Sequence, residues 1–318
     1  MDNGFFELVV HSINHESRQV VSVTLKHPLG HDLPGWEPGA HIDVLLPNGI
    51  LRQYSLCSHP DETKAWRIAV LKEPQGRGGS AYVHDELMPG TKLQVREARN
   101  NFPMHPAERY LFIAGGIGIT PILPMVWAAT HQGIPWELLY LGRSRTSMAF
   151  LNEITALGGR ATIHVSQELG PFPLNYLLSE LEAGTEVYAC GPQKLLDALE
   201  TASKSWDDAS AFHCERFSLE PAEPSAGTST DSAFTLELAD GMEVPVPANS
   251  SVLEALEAAG INVPNSCREG ICGTCETPVI AGDIDHRDTL LSPQEREEGA
   301  TMMICVSRCK SPRLVLDL

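Results

Sequence analysis

The sequence contains no long apolar run and no cluster of basic residues. The longest apolar runs, residues 111–114 and 122–129, are far shorter than the roughly 20 residues that a membrane-spanning helix needs. The first ten residues contain neither a basic n-region nor a cleavable signal. Lys and Arg number 23 against 41 Asp and Glu, and the formal net charge of −18 argues against nucleic acid as a partner. We therefore expect a cytoplasmic protein that binds neither a membrane nor nucleic acid.

Cysteine is scarce over the first two-thirds of the chain and is concentrated near its end. This distribution favours metal ligation in a reducing compartment over the disulfides of a secreted protein. Four residues separate Cys267 from Cys272, and two separate Cys272 from Cys275. Cys305 follows about 30 residues later, which is the plant-type spacing for one [2Fe–2S] cluster. Four cysteines also suit structural zinc, although zinc sites usually pair two short Cys-x-x-Cys segments and this sequence has one.

Short β runs separated by turns dominate the first third of the chain. Turn signals are the Pro-Gly pairs at residues 38–39 and 89–90 and the Asn-Gly pair at residues 48–49. Many short strands of alternating polarity are typical of an antiparallel barrel. The predicted strands occupy residues 5–11, 20–26, 41–46, 52–57, 66–71 and 92–95.

Two segments of this barrel carry residues suited to a flavin and its phosphate. Arg52, Tyr54 and Ser55 offer a cation, an aromatic ring and a hydroxyl on or beside a strand end. Residues 76–80 form a glycine-rich turn that opens a helix to residue 87, with Ser80 as the expected N-cap. Free N–H groups at a helix start form an anion site. An arginine on a barrel strand can equally be a surface ion pair, and a glycine-rich turn can be only a turn.

Around residue 108 the pattern changes to alternating strands and helices. This alternation predicts a doubly wound parallel sheet. The expected strands cover residues 110–114, 137–141, 162–166, 186–189 and 211–214, and the expected helices cover residues 122–132, 147–157, 174–181 and 192–204.

A glycine turn follows the first strand of this sheet. Gly115 and Gly116 lead into a helix for which Thr120 is the expected cap and Pro121 the first helical position. The usual Gly-x-Gly-x-x-Gly frame is missing. Backbone without side chains can nevertheless lie against a pyrophosphate at a helix N-terminus. The turn is therefore a candidate nucleotide site.

A second turn, formed by Cys190, Gly191 and Pro192, ends another strand and starts another helix. We expect it on the same carboxyl edge of the sheet, which is the usual place for a ligand. Cys190 could lie near a nicotinamide ring, or it could be a small buried core residue.

The clearest boundary in the chain is a segment rich in Pro, Ser, Gly and Thr at residues 218–232. Beyond it, residues 234–238 and 243–246 predict a hairpin, and Ser251 with Glu254 predicts a capping box that opens a helix. Two strands, one helix and then the cysteine loop fit a small ferredoxin fold of the β-grasp type. The acidic segments 283–288 and 292–298 could dock a partner protein or could simply be solvated.

Together these motifs resemble the phthalate dioxygenase reductase family, which includes reductases of Rieske oxygenases and O-demethylases. The likeness covers essentially the whole chain, in the family's domain order. It implies four segments: an FMN-binding β-barrel domain (1–104), an NAD(H)-binding α/β domain (105–217), a linker (218–231) and a plant-type [2Fe–2S] ferredoxin domain (232–318).

The resemblance also implies roles for individual residues. Arg52, Gly78, Gly79 and Ser80 would hold the FMN phosphate, and Tyr54 and Ser55 would contact the flavin ring. Gly116, Thr120 and Cys190 would line the nicotinamide path, within the turns that also contain Gly115, Pro121, Gly191 and Pro192. Phe217 would cover the flavin face. Cys267, Cys272, Cys275 and Cys305 would bind the cluster, which leaves Cys309 spare.

The implied activity follows from electron counting. A hydride carries two electrons and the cluster accepts one, whereas a flavin can take two and release them singly. The resemblance therefore implies a reductase that passes electrons from NADH through FMN and the cluster to a Rieske-type terminal oxygenase, and we expect it to be a monomer. Arg143 and Arg145 could accept the 2′-phosphate of NADPH, although the resemblance favours NADH. The alternatives are a di-iron or haem monooxygenase as partner, or a non-enzymatic redox carrier or sensor.

Overall fold

The computed structural model describes residues 4–158, 160–174, 181–218 and 231–318. The chain divides into two compact units, Met1–Phe217 and Ser218–Leu318. The predicted helix over residues 174–181 and the predicted linker over residues 218–231 lie mostly outside the described residues. Within the described ranges, no helix combines the length and the apolar character needed to cross a membrane.

The first unit begins with a six-stranded antiparallel sheet in the order β4-β3-β6-β1-β2-β5. A bridge between Leu56, which follows β4, and Ile68 of β5 joins the two edge strands, so the sheet closes on itself as the sequence predicts. Leu8, Val23 and Trp66 are among the fully buried side chains inside it. The strands are β1 (Phe5–His15), β2 (Val20–Lys26), β3 (His41–Leu45), β4 (Leu51–Ser55), β5 (Trp66–Leu71) and β6 (Lys92–Arg96), and one helix, α1 (Gly79–Asp85), precedes β6.

The second sheet of this unit has five strands, all parallel, in the order β11-β10-β7-β8-β9. This is the predicted doubly wound arrangement, and β7 is buried at nearly every position, as expected for a strand covered on both faces. The strands are β7 (Arg109–Gly115), β8 (Trp136–Gly142), β9 (Ala161–Val165), β10 (Thr185–Cys190) and β11 (Phe212–Glu215). The helices are α2 (Ile119–Gln132), α3 (Leu151–Ala156), α4 (Ser166–Leu169) and α5 (Gln193–Ser203), and 3-10 turns cover Gly116–Gly118, Arg145–Ser147 and Ala209–Ala211.

Two predicted helix starts in this sheet domain are wrong. Helix α2 begins at Ile119 with Gly118 as N-cap, because a 3-10 turn leads directly into it. Thr120 and Pro121 therefore lie inside the first turn and do not act as cap and first position. Helix α3 begins later than residue 147, because the chain first forms a 3-10 turn and then passes through a left-handed Phe150 (φ 57°).

The second unit is a five-stranded mixed sheet in the order β13-β12-β18-β14-β16, with β15 and β17 paired beside it. The predicted hairpin is present, and β12 also pairs in parallel with β18. The predicted capping box is confirmed, since Ser251 and Glu254 bond each other's backbone N–H groups. The strands are β12 (Phe234–Leu238), β13 (Glu243–Val246), β14 (Glu276–Ala281), β15 (Ile284–Asp285), β16 (Thr301–Met303), β17 (Arg308–Cys309) and β18 (Arg313–Leu316), and the helices are α6 (Val252–Ala258) and α7 (Pro293–Glu298).

Candidate functional site

Arg52 and the glycine turn before α1 form one corner of the barrel. The Arg52 guanidinium donates to the carbonyl oxygens of Leu51 at 2.7 Å and Arg77 at 3.3 Å. A Cβ atom on Gly79 would lie only 2.8 Å from the Arg52 Nε atom. The arginine therefore packs directly on the backbone at the helix start, beside N–H groups that have no partner within a helix. A cation next to such N–H groups can hold a phosphate.

Ser80 lies in this corner but does not cap the helix. The N-cap is Gly78, whose φ of 86° is left-handed, and the helix begins at Gly79. Ser80 is therefore already helical, and its Oγ atom accepts a hydrogen bond from the backbone N–H of Glu73 at 3.0 Å. The predicted cap is wrong because glycine can adopt the left-handed conformation that starts the helix earlier.

Tyr54 and Ser55 lie at the end of β4. Among the described residues, the buried hydroxyl of Tyr54 has no hydrogen-bond partner, and burial raises the pKa of this group above its ordinary value. A buried hydroxyl without a partner costs about 1–3 kcal/mol. The Tyr54 hydroxyl is therefore a position at which a bound ligand can supply the missing bond.

Glu215 is a candidate site residue that the sequence did not single out. It ends β11 and is the register neighbour of Cys190 at the end of β10. Its Oε2 atom is buried and has no hydrogen-bond partner within the part of the chain that the structure describes. Burial raises the pKa of Glu215 from 4.5 to about 8, and a hydrogen bond with the hydroxyl of Ser55 partly offsets this. The side chain can therefore hold a proton near neutral pH, where the barrel meets the parallel sheet.

The only sequence signal for Glu215 was its place two residues before Phe217. Phe217 itself is 41% exposed, which is unusual for a large apolar side chain in this protein. An exposed aromatic ring at the end of the sheet domain is available to stack on a planar ligand.

The carboxyl ends of β7 and β10 pack backbone against backbone. These strands are neighbours, and the sheet extends from β7 to β8 on one side and from β10 to β11 on the other, which makes this the topological switch point. A Cβ atom on Gly115 would lie 2.6 Å from the Cδ atom of Pro192, and one on Gly118 would lie 2.2 Å from the carbonyl oxygen of Cys190. Similarly, a Cβ atom on Gly191 would lie 2.9 Å from the Gly115 Cα atom. Contact between the two loops thus requires glycine, whether or not a ligand is bound.

Gly116 differs from its neighbours. Its φ of 56° is left-handed, and nothing lies within 4 Å of a Cβ atom placed there. Its backbone therefore borders open space that a nucleotide can enter. Thr120 is buried behind it, and the Thr120 hydroxyl donates to the carbonyl oxygen of Ile117 at 3.0 Å. The hydroxyl of Thr120 thus stabilises the turn from inside.

Cys190 is completely buried. Burial raises the pKa of its thiol well above the ordinary value, and the charges of Glu215 and Cys214 add to the rise. The side chain is therefore a neutral thiol at the wall of the switch point.

A bidentate ion pair connects the barrel to the sheet domain. Arg67 of β5 donates from Nη1 and Nη2 to the two carboxylate oxygens of Glu153 in α3, at 2.8 and 2.9 Å. Arg67 also donates to the carbonyl oxygen of Cys57, and its guanidinium lies 4.8 Å from the ring centre of Phe150. These contacts tie together the same two domains that Ser55 and Glu215 come from.

The four cysteines predicted to bind the cluster come together in the second unit. The Cys272 sulfur is within hydrogen-bonding range of the Cys267 sulfur, and the Cys305 sulfur is within range of those of Cys275 and Cys267. Across the described ranges, no three His, Cys, Asp or Glu side chains are arranged to hold a single metal ion. Four thiolates arranged in this way suit the two irons of a [2Fe–2S] cluster.

Backbone N–H groups of the cysteine loop point at these sulfurs. The N–H of Glu269 donates to the Cys267 sulfur at 3.3 Å, and the N–H of Gly270 donates to the Cys305 sulfur. Gly270 has a left-handed φ of 72°, and a Cβ atom on it would lie 2.6 Å from the Cγ2 atom of Val306. N–H···S bonds of this kind set the reduction potential of iron–sulfur clusters.

Comparisons with known proteins follow the same division of the chain. Residues 237–310 match the 2Fe-2S iron-sulfur cluster binding domain family. The chain is 42% identical over 316 residues to the toluene-4-sulfonate monooxygenase system reductase subunit of Comamonas testosteroni, with 98% of each chain covered. It is 36% identical over 324 residues to the phthalate dioxygenase reductase of Burkholderia cepacia, with 100% of this chain and 98% of that one covered.

Solved structures show the same likeness. A phthalate dioxygenase reductase matches with a TM-score of 0.74 and 35% identity, over 100% of this chain and 99% of that one. An intact type IV self-sufficient cytochrome P450 monooxygenase matches with a TM-score of 0.87 and 41% identity, over 99% of this chain and 41% of that one.

Proposed function

The chain belongs to the phthalate dioxygenase reductase family, and from this premise we propose that its electron acceptor is a Rieske-type terminal oxygenase. As a member of the family, it is an oxidoreductase that passes electrons from NADH through FMN and a [2Fe–2S] cluster to an oxygenase component. The observation that best supports this function is that the four cysteines lie close together. They suit a one-electron centre, and such a centre requires a flavin between it and NADH.

We propose the corner at Arg52 as the site of the FMN phosphate. The side chain of Arg52 and the backbone of Gly78, Gly79 and Ser80 fit that group, since a cation lies against a helix start in which a Cβ atom would clash. Tyr54 fits the flavin ring because its buried hydroxyl has an unmet hydrogen bond. When bound, FMN takes two electrons as a hydride and releases them one at a time.

The nicotinamide end of NADH is proposed to bind at the switch point. Gly116 offers open backbone, while Gly115, Gly191 and Pro192 hold the two loops together. Thr120 and Pro121 support the turn from inside, and Cys190 forms its wall. Phe217 is proposed to cover the flavin face until the nicotinamide displaces it.

Ser55 and Glu215 are proposed to orient the reacting groups. Ser55 comes from the barrel and Glu215 from the sheet domain, so their hydrogen bond joins the proposed flavin and nucleotide sites. The raised pKa of Glu215 allows its carboxyl group to keep a proton near neutral pH. Because Ser55 occupies the other oxygen, the protonated Oε2 can donate a hydrogen bond to the amide oxygen of a nicotinamide.

Cys267, Cys272, Cys275 and Cys305 are proposed as the cluster ligands, and Cys309 is not. Cys309 is buried, and its sulfur contacts the hydroxyl of Ser311 and the carbonyl oxygen of Arg313. We further propose a monomer with the functional domains 1–104, 105–217 and 232–318, joined by residues 218–231.

A haem monooxygenase is a second candidate partner. The observation that favours it is the match to a region of a self-sufficient cytochrome P450 monooxygenase, whose TM-score of 0.87 exceeds that of the phthalate dioxygenase reductase. Purified reductase mixed with a Rieske oxygenase and, separately, with a cytochrome P450 would distinguish the two, because productive coupling consumes NADH in step with hydroxylated product.

An anaerobic titration with NADH tests the electron path itself. The protein should release FMN on extraction and should show flavin bands and a broad iron–sulfur absorption, both of which bleach with NADH. A protein that contains zinc and no iron, or whose cluster stays oxidised while the flavin bleaches, would contradict the proposed order. Sedimentation at micromolar concentration tests the proposed monomer.

A further inference from the structure

A basic loop follows β8, the second strand of the parallel sheet. Arg143, Ser144 and Arg145 come directly after Gly142, the last residue of this strand. In nucleotide-binding sheets of this type, the corresponding place faces the adenosine ribose. A carboxylate there selects a free 2′-hydroxyl, whereas an arginine accommodates a 2′-phosphate. This chain has two arginines and no carboxylate in the loop from Arg143 to Ser147.

The loop is held in one conformation by its own contacts. The Tyr140 hydroxyl accepts from the backbone N–H of Ala149 at 3.1 Å and lies 3.2 Å from its carbonyl oxygen. Met148 packs so closely on Gly142 that a Cβ atom there would lie 2.3 Å from its sulfur. The barrel adds a further bond, from the N–H of Arg18 to the carbonyl oxygen of Thr146 at 2.9 Å. A ligand therefore meets a loop that is already formed, which lowers the entropy cost of binding.

Hydroxyl groups lie between the two arginines and beyond them. The Ser144 Oγ atom is 3.1 Å from the Thr146 Oγ1 atom and 3.1 Å from the Ser147 Oγ atom. Arginines and hydroxyls are the side chains that most often bind phosphate oxygens, because all of them donate hydrogen bonds. The loop thus presents a set of donors suited to a phosphate.

A cleft of about 620 Å³ opens beside this loop, and Arg18, Arg145 and Thr146 line it. Two acidic residues also line the cleft, but each already has a partner. Glu16 accepts from the hydroxyl of Ser22 at 2.6 Å, and Glu153 is paired with Arg67. Of these two, Glu153 is paired with a cation whereas Glu16 accepts from a neutral hydroxyl, so the positive charge of the cleft comes from Arg18 and Arg145 and is partly offset by Glu16.

Among the residues that the structure describes, Glu168 is the carboxylate paired with this loop. Its Oε1 atom lies 3.2 Å from the Arg145 Nε atom, and the two side chains are 49% and 58% exposed. An ion pair this exposed contributes little, because water screens it. A phosphate carrying between one and two negative charges can therefore displace Glu168 from Arg145.

We propose that the loop from Arg143 to Ser147 is a 2′-phosphate site and that the protein oxidises NADPH as well as NADH. The inference rests on the proposed function, because it concerns the hydride donor of the same reaction. NADPH would lose one hydride and become NADP⁺. The two electrons would reduce two equivalents of a one-electron acceptor, and one proton would be released to solution.

Steady-state reduction of ferricyanide by the holoprotein tests the proposal with each nucleotide separately. The wild-type kcat/KM for NADPH should be at least about a tenth of that for NADH. Arg145→Gln should lower the NADPH value about tenfold or more, since a charge-assisted hydrogen bond is lost, and should change the NADH value less than about threefold. Glu168→Gln should raise the NADPH value, because it removes the competing carboxylate.

The matched control is Arg160→Gln. Arg160 precedes β9 and so lies at the amino ends of the strands, away from the loop that follows the carboxyl end of β8. Its guanidinium lies 4.6 Å from the ring centre of Trp136. Its substitution should therefore leave the ratio of the NADPH and NADH kcat/KM values unchanged. A binding test without turnover compares 2′,5′-ADP with 5′-AMP as competitive inhibitors of NADH, and 2′,5′-ADP should bind more tightly.

Two results would overturn the 2′-phosphate site. One is an equal loss of NADH and NADPH activity in Arg145→Gln, and the other is inhibition by 5′-AMP that equals or exceeds inhibition by 2′,5′-ADP. Absence of ferricyanide reduction with NADH would instead contradict the proposed function, so the two failures are distinguishable.

Discussion

Glu215→Gln should change how the stability of the first unit depends on pH. The folded-state pKa of Glu215 is raised by burial from 4.5 to about 8, so between these values the folded chain keeps a proton that the unfolded chain has released. Stability then falls as pH rises, by up to about 1.4 kcal/mol per pH unit. Over the whole interval the loss is about 5 kcal/mol, and above pH 8 it is constant. A glutamine of the same shape carries no such proton and removes this dependence.

The measurement is urea denaturation followed by tryptophan fluorescence, at intervals between pH 5.5 and 8.5. Exposed carboxylates, with pKa values near 4, are ionised throughout this range and do not interfere. All five tryptophans of the chain lie between residues 36 and 206, so the signal reports the first unit alone. The difference in unfolding free energy between wild type and variant should shift by about 3 kcal/mol across the range.

Glu137→Gln is the matched control, because Glu137 is an exposed glutamate on β8 of the same parallel sheet. The reasoning is refuted if wild type and Glu215→Gln show parallel pH profiles. A parallel result would mean that the carboxyl group is solvated or paired and ionises in the ordinary way.

Three further perturbations follow from the described contacts. Cys272→Ala should leave reduction of ferricyanide by NADH partly intact and abolish reduction of cytochrome c, and equal loss of both would contradict the electron order. Gly79→Ala should weaken FMN binding at least about tenfold, because a methyl group 2.8 Å from the Arg52 Nε atom must displace the guanidinium. Flavin fluorescence measures the binding. The control is Gly35→Ala, because a Cβ atom on Gly35 meets nothing within 4 Å. Glu153→Gln should lower the free energy of unfolding, measured by urea denaturation, by about 1–3 kcal/mol, because it removes the negative charge of the half-buried ion pair between barrel and sheet. A change below about 0.5 kcal/mol would show that the pair does not stabilise the fold.

The sheets could be predicted from the sequence because their signals are local. Strands β2 and β5 agree with the predicted bounds to the residue, since alternating apolar side chains and flanking turns specify a strand without reference to the rest of the fold. The hairpin of β12 and β13 and its following capping box were predictable for the same reason. Helix starts were less predictable. Thr120 and Pro121 give a strong start signal, yet the preceding glycines allowed a 3-10 turn to begin the helix earlier.

The part of the site that sequence reasoning missed depends on distant contacts. Glu215 gains its raised pKa from burial and its partner from a barrel strand early in the chain, and neither is visible in residues 213–217. The glycines at the switch point were found, but their reason was incomplete. Sequence reasoning assigned them to a ligand, whereas Gly115 and Gly191 are already required by each other.

That mutual requirement restricts how this pocket can evolve. Where Gly118 meets the main chain of Cys190, and Gly191 that of Gly115, no contacting side chain can be shortened to relieve the closest contact with an added methyl group, so these two glycines have no simple compensating substitution in the facing loop. Adaptation to a different nucleotide is therefore confined to the periphery, where residues such as Arg145 and Glu168 can be exchanged without moving the backbone.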